Sequence, residues 1–91
     1  MSNTWQKFGP SHYLQVNYPA GRRESYHYDG HNRVNLAPFF RAAITVFENG
    51  EHHWTANDCG TMVDQEFGVE LSLEAAKQRC EEYITRNGGT I

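Results

Sequence analysis

Ninety-one residues allow one domain with a single modest core and are too few for two. Apolar residues make up 38% and aromatics 13%, so rings supply much of the buriable area and the composition is that of a folded chain, not a disordered one. No apolar run approaches the length of a membrane helix, which excludes a helical span.

The net charge of −3 is unevenly divided. Residues 1–47 carry Lys7, Arg22, Arg23, Arg33 and Arg41 against Glu24 and Asp29, a balance of +3. Residues 48–91 carry Lys77, Arg79 and Arg86 against nine carboxylates, a balance of −6. A general duplex-DNA binder would show a basic footprint across the domain, so this division argues against one.

The opening "MSNTWQKFGPSH" has no cationic stretch followed by an apolar one. No secretory signal is expected, and the expected location is cytoplasmic. In that reducing setting Cys59 and Cys80 are expected as free thiols.

In residues 12–18, "HYLQVNY", Leu14, Val16 and Tyr18 recur at period two, the pattern of a half-buried strand ended by Pro19 and Gly21. Residues 24–28 form a weaker strand closed by Asp29-Gly30, and residues 34–36 a short extended piece before Pro38. The clearest hairpin follows. "FFRAAITVF" alternates Phe40, Ala42, Ile44 and Val46, and Asn49-Gly50 supplies a turn. A two-residue loop would pair Ile44 with Thr55 and put Trp54 on the opposite face. A three-residue loop, Glu48-Asn49-Gly50, pairs Val46 with His52, Ile44 with Trp54 and Ala42 with Ala56, so the apolar partners share one face. The three-residue loop is therefore expected, with His52 and His53 pointing to opposite faces.

Asp58-Cys59-Gly60 reads as the next turn, and "TMVDQEFGVEL" as another strand, irregular near Gly68. Ser72 is placed to cap a helix over Leu73–Arg86, with Glu74 in its first turn and Gly88 at its end. Leu73, Ala76, Cys80, Tyr83 and Ile84 form its apolar stripe, and Glu74, Lys77, Gln78, Glu81 and Glu82 its polar face. The expected architecture is a single α+β domain over residues 1–91: an antiparallel sheet of four to five strands with one C-terminal helix packed on one face. The other face, carrying Phe39, Thr45 and Phe47, is left for solvent, a partner or a second copy.

Chemistry is sparse in this pattern. The one close ligand pair, His27-x3-His31, straddles a turn, and no second pair has structural-zinc spacing, so no metal or other cofactor is expected. Cys59 near His52 or His53 could be a nucleophile only with an oriented base, and phosphate-cradling and nucleophile-elbow motifs are missing. No enzyme activity is expected. Residues 17–33 interleave Tyr18, Tyr26 and Tyr28 with Arg22, Arg23 and Arg33, the residue types that dominate protein interfaces. A second candidate surface is acidic: Asp64, Glu66 and Glu70, with Glu74, Glu81 and Glu82 on the helix. A carboxylate array of this kind would suit a basic cleft on a partner.

With "VFENGEHHWTANDCG" followed by "SLEAAKQRCEEYI", the chain resembles in layout the small accessory proteins of bacteriophages and mobile elements, including anti-CRISPR and other anti-defence inhibitors. The resemblance implies an inhibitor that acts by binding, without chemistry of its own, and carries over no site residue. The expected function is a small non-enzymatic protein masking a surface of a larger host protein or ribonucleoprotein complex. Tyr18, Arg22, Arg23, Tyr26, Tyr28, Arg33, Glu66, Glu70, Glu74 and Glu81 would make the contacts. The alternatives are a binder of a small phosphorylated ligand or nucleotide held by Arg22 and Arg23, and a metal- or thiol-dependent enzyme.

Overall fold

A computed structural model describes residues 4–18, 39–59 and 65–91 with their side chains, and the backbone of residues 26–29 and 32–35. In chain order the elements are β1 (Gln6–Phe8), β2 (Ser11–Asn17), β3 (Tyr26–Asp29), β4 (Asn32–Asn35), β5 (Phe39–Val46), β6 (His52–Asp58), β7 (Glu66–Glu70) and α1 (Leu73–Arg86). Five strands form an antiparallel sheet ordered β1-β2-β5-β6-β7, and β3 and β4 form a separate two-stranded ribbon.

The β5–β6 hairpin takes the register that apolar matching requires. Val46 lies opposite His52, Ile44 opposite Trp54 and Ala42 opposite Ala56. The Phe47 amide donates to the Glu51 carbonyl at 2.9 Å, closing a loop of Glu48, Asn49 and Gly50. Gly50 sits at φ +89°, a left-handed position that a Cβ would strain. His52 and His53 face opposite sides, as alternation demands. His52 Nδ1 donates to the Gly50 carbonyl at 3.0 Å, while His53 Nε2 meets the Glu51 carboxylate at 3.0 Å.

One sheet face is covered by α1, which packs on β5, β6 and β7. Leu14, Val16, Phe40, Ala42, Ile44 and Ala56 from the strands meet Ala76, Cys80, Tyr83 and Ile84 from the helix in one buried core. The short side chains of the paired Ala42 and Ala56 leave room for the helix to approach the sheet closely. Ser72 caps α1 by accepting from the Ala75 amide at 3.1 Å, and Gly88 (φ +101°) turns the chain at its end. Beyond it Gly89 is buried where a Cβ would stand 2.4 Å from Ile84 Cγ2 and 3.0 Å from the Phe40 ring. The chain after the helix can close over the core only with glycine there.

Three departures from the sequence reading have physical causes. The fifth strand of the sheet is β1, three residues too few to show a period; it is joined to β2 through Gly9-Pro10 and reinforced by a Phe8–Tyr13 ring contact at 5.8 Å. The expected strand near residues 24–28 is Tyr26–Asp29 and, among the described residues, pairs with β4 alone, while its Asp29-Gly30 turn extends beyond the described residues. Asp58, read as a turn residue, ends β6 on the helix side and is 4% exposed.

The hydroxyl of Tyr18 donates to the Asp58 carboxylate, and its ring stands edge-on to Phe40 at 5.3 Å. Tyr18→Phe keeps that ring contact and removes one donor from a buried carboxylate. The expected loss is about 1–3 kcal/mol in urea unfolding; a loss below about 0.5 kcal/mol would show that the bond does not matter to the fold.

Candidate interaction face

The sheet face opposite α1 is built from the other half of each alternation. Register aligns Gln6, Tyr13, Ala43, Thr55 and Phe67 in one row across all five strands. The next row is Phe8, Ser11, Thr45, His53 and Val69. Rings and apolar groups therefore stand at both margins, above a floor of short side chains. Phe67 is 72% exposed and Phe8 59%, with Tyr13, Phe47 and Val69 also exposed. Phe47 lies against His53 at 4.4 Å, and His53, with Asn49, holds the Glu51 carboxyl below its usual range. Arg41 is the one fixed charge among the described strand residues of this face, and its guanidinium carbon lies 5.7 Å from the Phe39 ring centroid.

β7 is inverted relative to an ordinary half-buried strand. Glu66, Gly68 and Glu70 face the helix side, while Phe67 and Val69 face outward. Cations on the helix meet both carboxylates. Arg86 pairs with Glu66, and Arg79 Nε donates to Glu70 at 2.9 Å and approaches Glu82 at 3.7 Å. Leu71, just past β7, is 83% exposed.

The residues expected to bind a partner are thus dispersed. Glu66 and Glu70 are laced to α1 by arginines, and Glu74 and Glu81 lie on the outer side of the helix beside Lys77 and Gln78. Tyr18 directs its hydroxyl to Asp58. In the ribbon Tyr28 is opposite Arg33 and Tyr26 opposite Asn35. Arg22, Arg23 and Asp64 lie outside the described residues.

Of the chemical candidates, His27 is opposite Val34 on β3 and His31 lies outside the described residues. Among the described residues no group of three His, Cys, Asp or Glu side chains is placed to hold a metal ion. Cys59 accepts from Asn57 Nδ2 at 3.4 Å. His52 and His53 begin β6 and Cys59 follows its end, so the length of the strand, on the order of 20 Å, separates them. Neither histidine can act as its base. Cys59 and Cys80 are free thiols. Among the described residues no helix is long and apolar enough to cross a membrane.

The sequence reading named Phe39, Thr45 and Phe47 on the open face but missed Phe8, Tyr13, Phe67 and Val69. The available signal was the spacing Glu66, Gly68, Glu70 against Phe67, Val69, Leu71, which marks two faces without saying which one the helix covers. No protein-family model matches the chain, no curated protein is significantly similar to it, and no solved structure matches it.

Proposed function

We propose that this chain is a small non-enzymatic binding protein that masks a surface of a larger protein, with the open sheet face as its contact. The inversion of β7 is the observation that carries this reading. Phe67, Val69 and Leu71 are turned outward while two carboxylates are turned toward the helix. Large apolar side chains exposed together along one strand, beside a floor of short side chains, mark an interaction site.

Size and charge favour a protein as the occupant. Five strands of three to eight residues give a face on the order of 20 Å by 20 Å, roughly half of one side of a standard interface, so a second contact has to supply the remainder. A phosphate backbone calls for several cations, and the described strand residues of this face provide Arg41 alone. The likeness in layout to anti-defence proteins gives the reading its particular form: an anti-CRISPR-like inhibitor in the host cytoplasm, covering a protein component of a nucleic-acid-associated complex. The Tyr/Arg segment is a second contact in this reading.

Affinity capture from host extract separates the surfaces. Tyr13→Glu/Phe67→Glu is expected to weaken capture about a hundredfold or more, as loss of interface anchors does, with cooperative unfolding retained and the melting temperature lowered only by loss of the Phe8–Tyr13 contact. Glu81→Lys should leave capture intact, and Arg22→Glu/Tyr26→Ala measures what the Tyr/Arg segment adds. Full affinity in the Tyr13/Phe67 variant would remove the open face from the interface. A homodimer seen by light scattering and lost in that variant would reassign the face to self-association.

A further inference from the structure

A second site lies on the helix side of the sheet, where β1, β2 and β6 approach the start of α1. Lys7 and His12 are cross-strand partners there, and with His52 they line a groove of about 460 Å³. Val46, Phe47 and Leu73 supply its apolar walls. Like charges directly opposite each other on adjacent strands are destabilising, so a bound anion would relieve the pairing of Lys7 with His12 whenever His12 is protonated.

The surrounding charges add to the imbalance. Burial, then Lys77, Lys7 and His52, hold the His12 imidazole below its usual pKa. Lys77 comes from the second turn of α1, with its ammonium 5.9 Å from the Trp5 ring centroid. On the acidic side, Glu48 lines the groove, and Glu70, opposite His52 in register, is bonded to Arg79. Glu74, in the first turn of α1, borders the outer helix surface. Because His52 Nδ1 donates to the Gly50 carbonyl, its Nε2 is the nitrogen left to act on a ligand, and it becomes a donor on protonation.

We propose that this groove binds a small phosphate monoester, with Lys7, His12 and His52 holding the phosphate and its apolar body against Val46, Phe47 and Leu73. The volume falls in the range of small-molecule sites, and a mixture of apolar walls with a few polar groups is their usual composition. The groove shares Phe47 with the margin of the open face and no other residue, so Tyr13→Glu/Phe67→Glu tests the face and Lys7→Glu tests the groove separately.

Titration of the His12 and His52 ring protons with phenyl phosphate tests it, with inorganic phosphate and phenol as controls. Phenyl phosphate should shift both histidines saturably, inorganic phosphate should bind more weakly, and phenol should leave them unmoved. The bound anion should raise the His12 titration midpoint, so binding should be tighter at pH 6 than at pH 8. Lys7→Glu, at an exposed position on an edge strand, should weaken binding roughly tenfold or more. Glu48→Gln, which removes the competing carboxylate, should tighten it. No saturable shift at either histidine, phenol binding as well as phenyl phosphate, or equal affinity in Lys7→Glu would overturn the assignment.

Discussion

Phe40→Ala should cost about 3–5 kcal/mol of folding stability, a large share of the roughly 5–15 kcal/mol available to a domain. Phe40 is fully buried and among the largest side chains in the core. Its ring receives the edge of Tyr18 on one side and the close backbone of Gly89 on another. It thereby joins the end of β2, the start of β5 and the chain beyond the helix. None of these neighbours can refill the space by a simple rotamer change, since Gly89 has no side chain and Tyr18 is anchored through Asp58. Urea unfolding measures the loss, with Phe39→Ala on the opposite face of the same strand as the control expected to cost about 1 kcal/mol or less. A loss of under about 1 kcal/mol at Phe40 would mean that its ring is not enclosed as described.

The two thiols should differ by orders of magnitude in native alkylation. Cys80 is fully buried within α1, its Sγ 3.7 Å from the Thr55 carbonyl. Burial, with a smaller contribution from Glu81, pushes its pKa up from 9.0 to about 12. The thiolate is the reactive species, so at pH 8 this shift alone slows Cys80 about a thousandfold relative to a thiol at the ordinary value, before its enclosure slows it further. Iodoacetamide should therefore modify the half-buried Cys59 in the native protein and reach Cys80 only on unfolding. The sign for stability follows: an unfolded Cys80 ionises near 9.0 and the buried one near 12, so folding stability falls as pH rises through that interval. Mass spectrometry of timed samples reads the rates, and equal labelling of both cysteines in the native state would contradict the buried placement of Cys80.

The hairpin of β5 and β6 is legible in the sequence because its register is decided locally, by a strict alternation on both strands and a glycine at the left-handed loop position. The helix is legible for the same reason, since Ser72, the stripe from Ala76 to Ile84 and Gly88 are all close in sequence. What is not legible depends on distant partners. Three residues at β1 acquire meaning only beside β2. Asp58 looks like a turn former until Tyr18, 40 residues away, meets its carboxylate. The apolar side of β7 could have faced the helix; the register that sets Gly68 against the Trp54 ring, where a Cβ would stand 3.0 Å from it, turns Glu66 and Glu70 to that side instead. The same dependence separates the candidate surfaces. Tyrosines, arginines and carboxylates mark interfaces by type, but type does not reveal which carboxylates are already neutralised.

Hydroxyl-radical footprinting of the captured complex tests the open face most directly, because Phe and Tyr rings report their own accessibility. Tyr13, Phe8 and Phe67 should be oxidised readily in the free protein and strongly protected in the complex, with the buried Tyr83 slow in both. Oxidation of Tyr13 and Phe67 at undiminished rates in the complex, with protection at Tyr26 and Tyr28 instead, would place the contact on the ribbon and contradict the assignment of the open face.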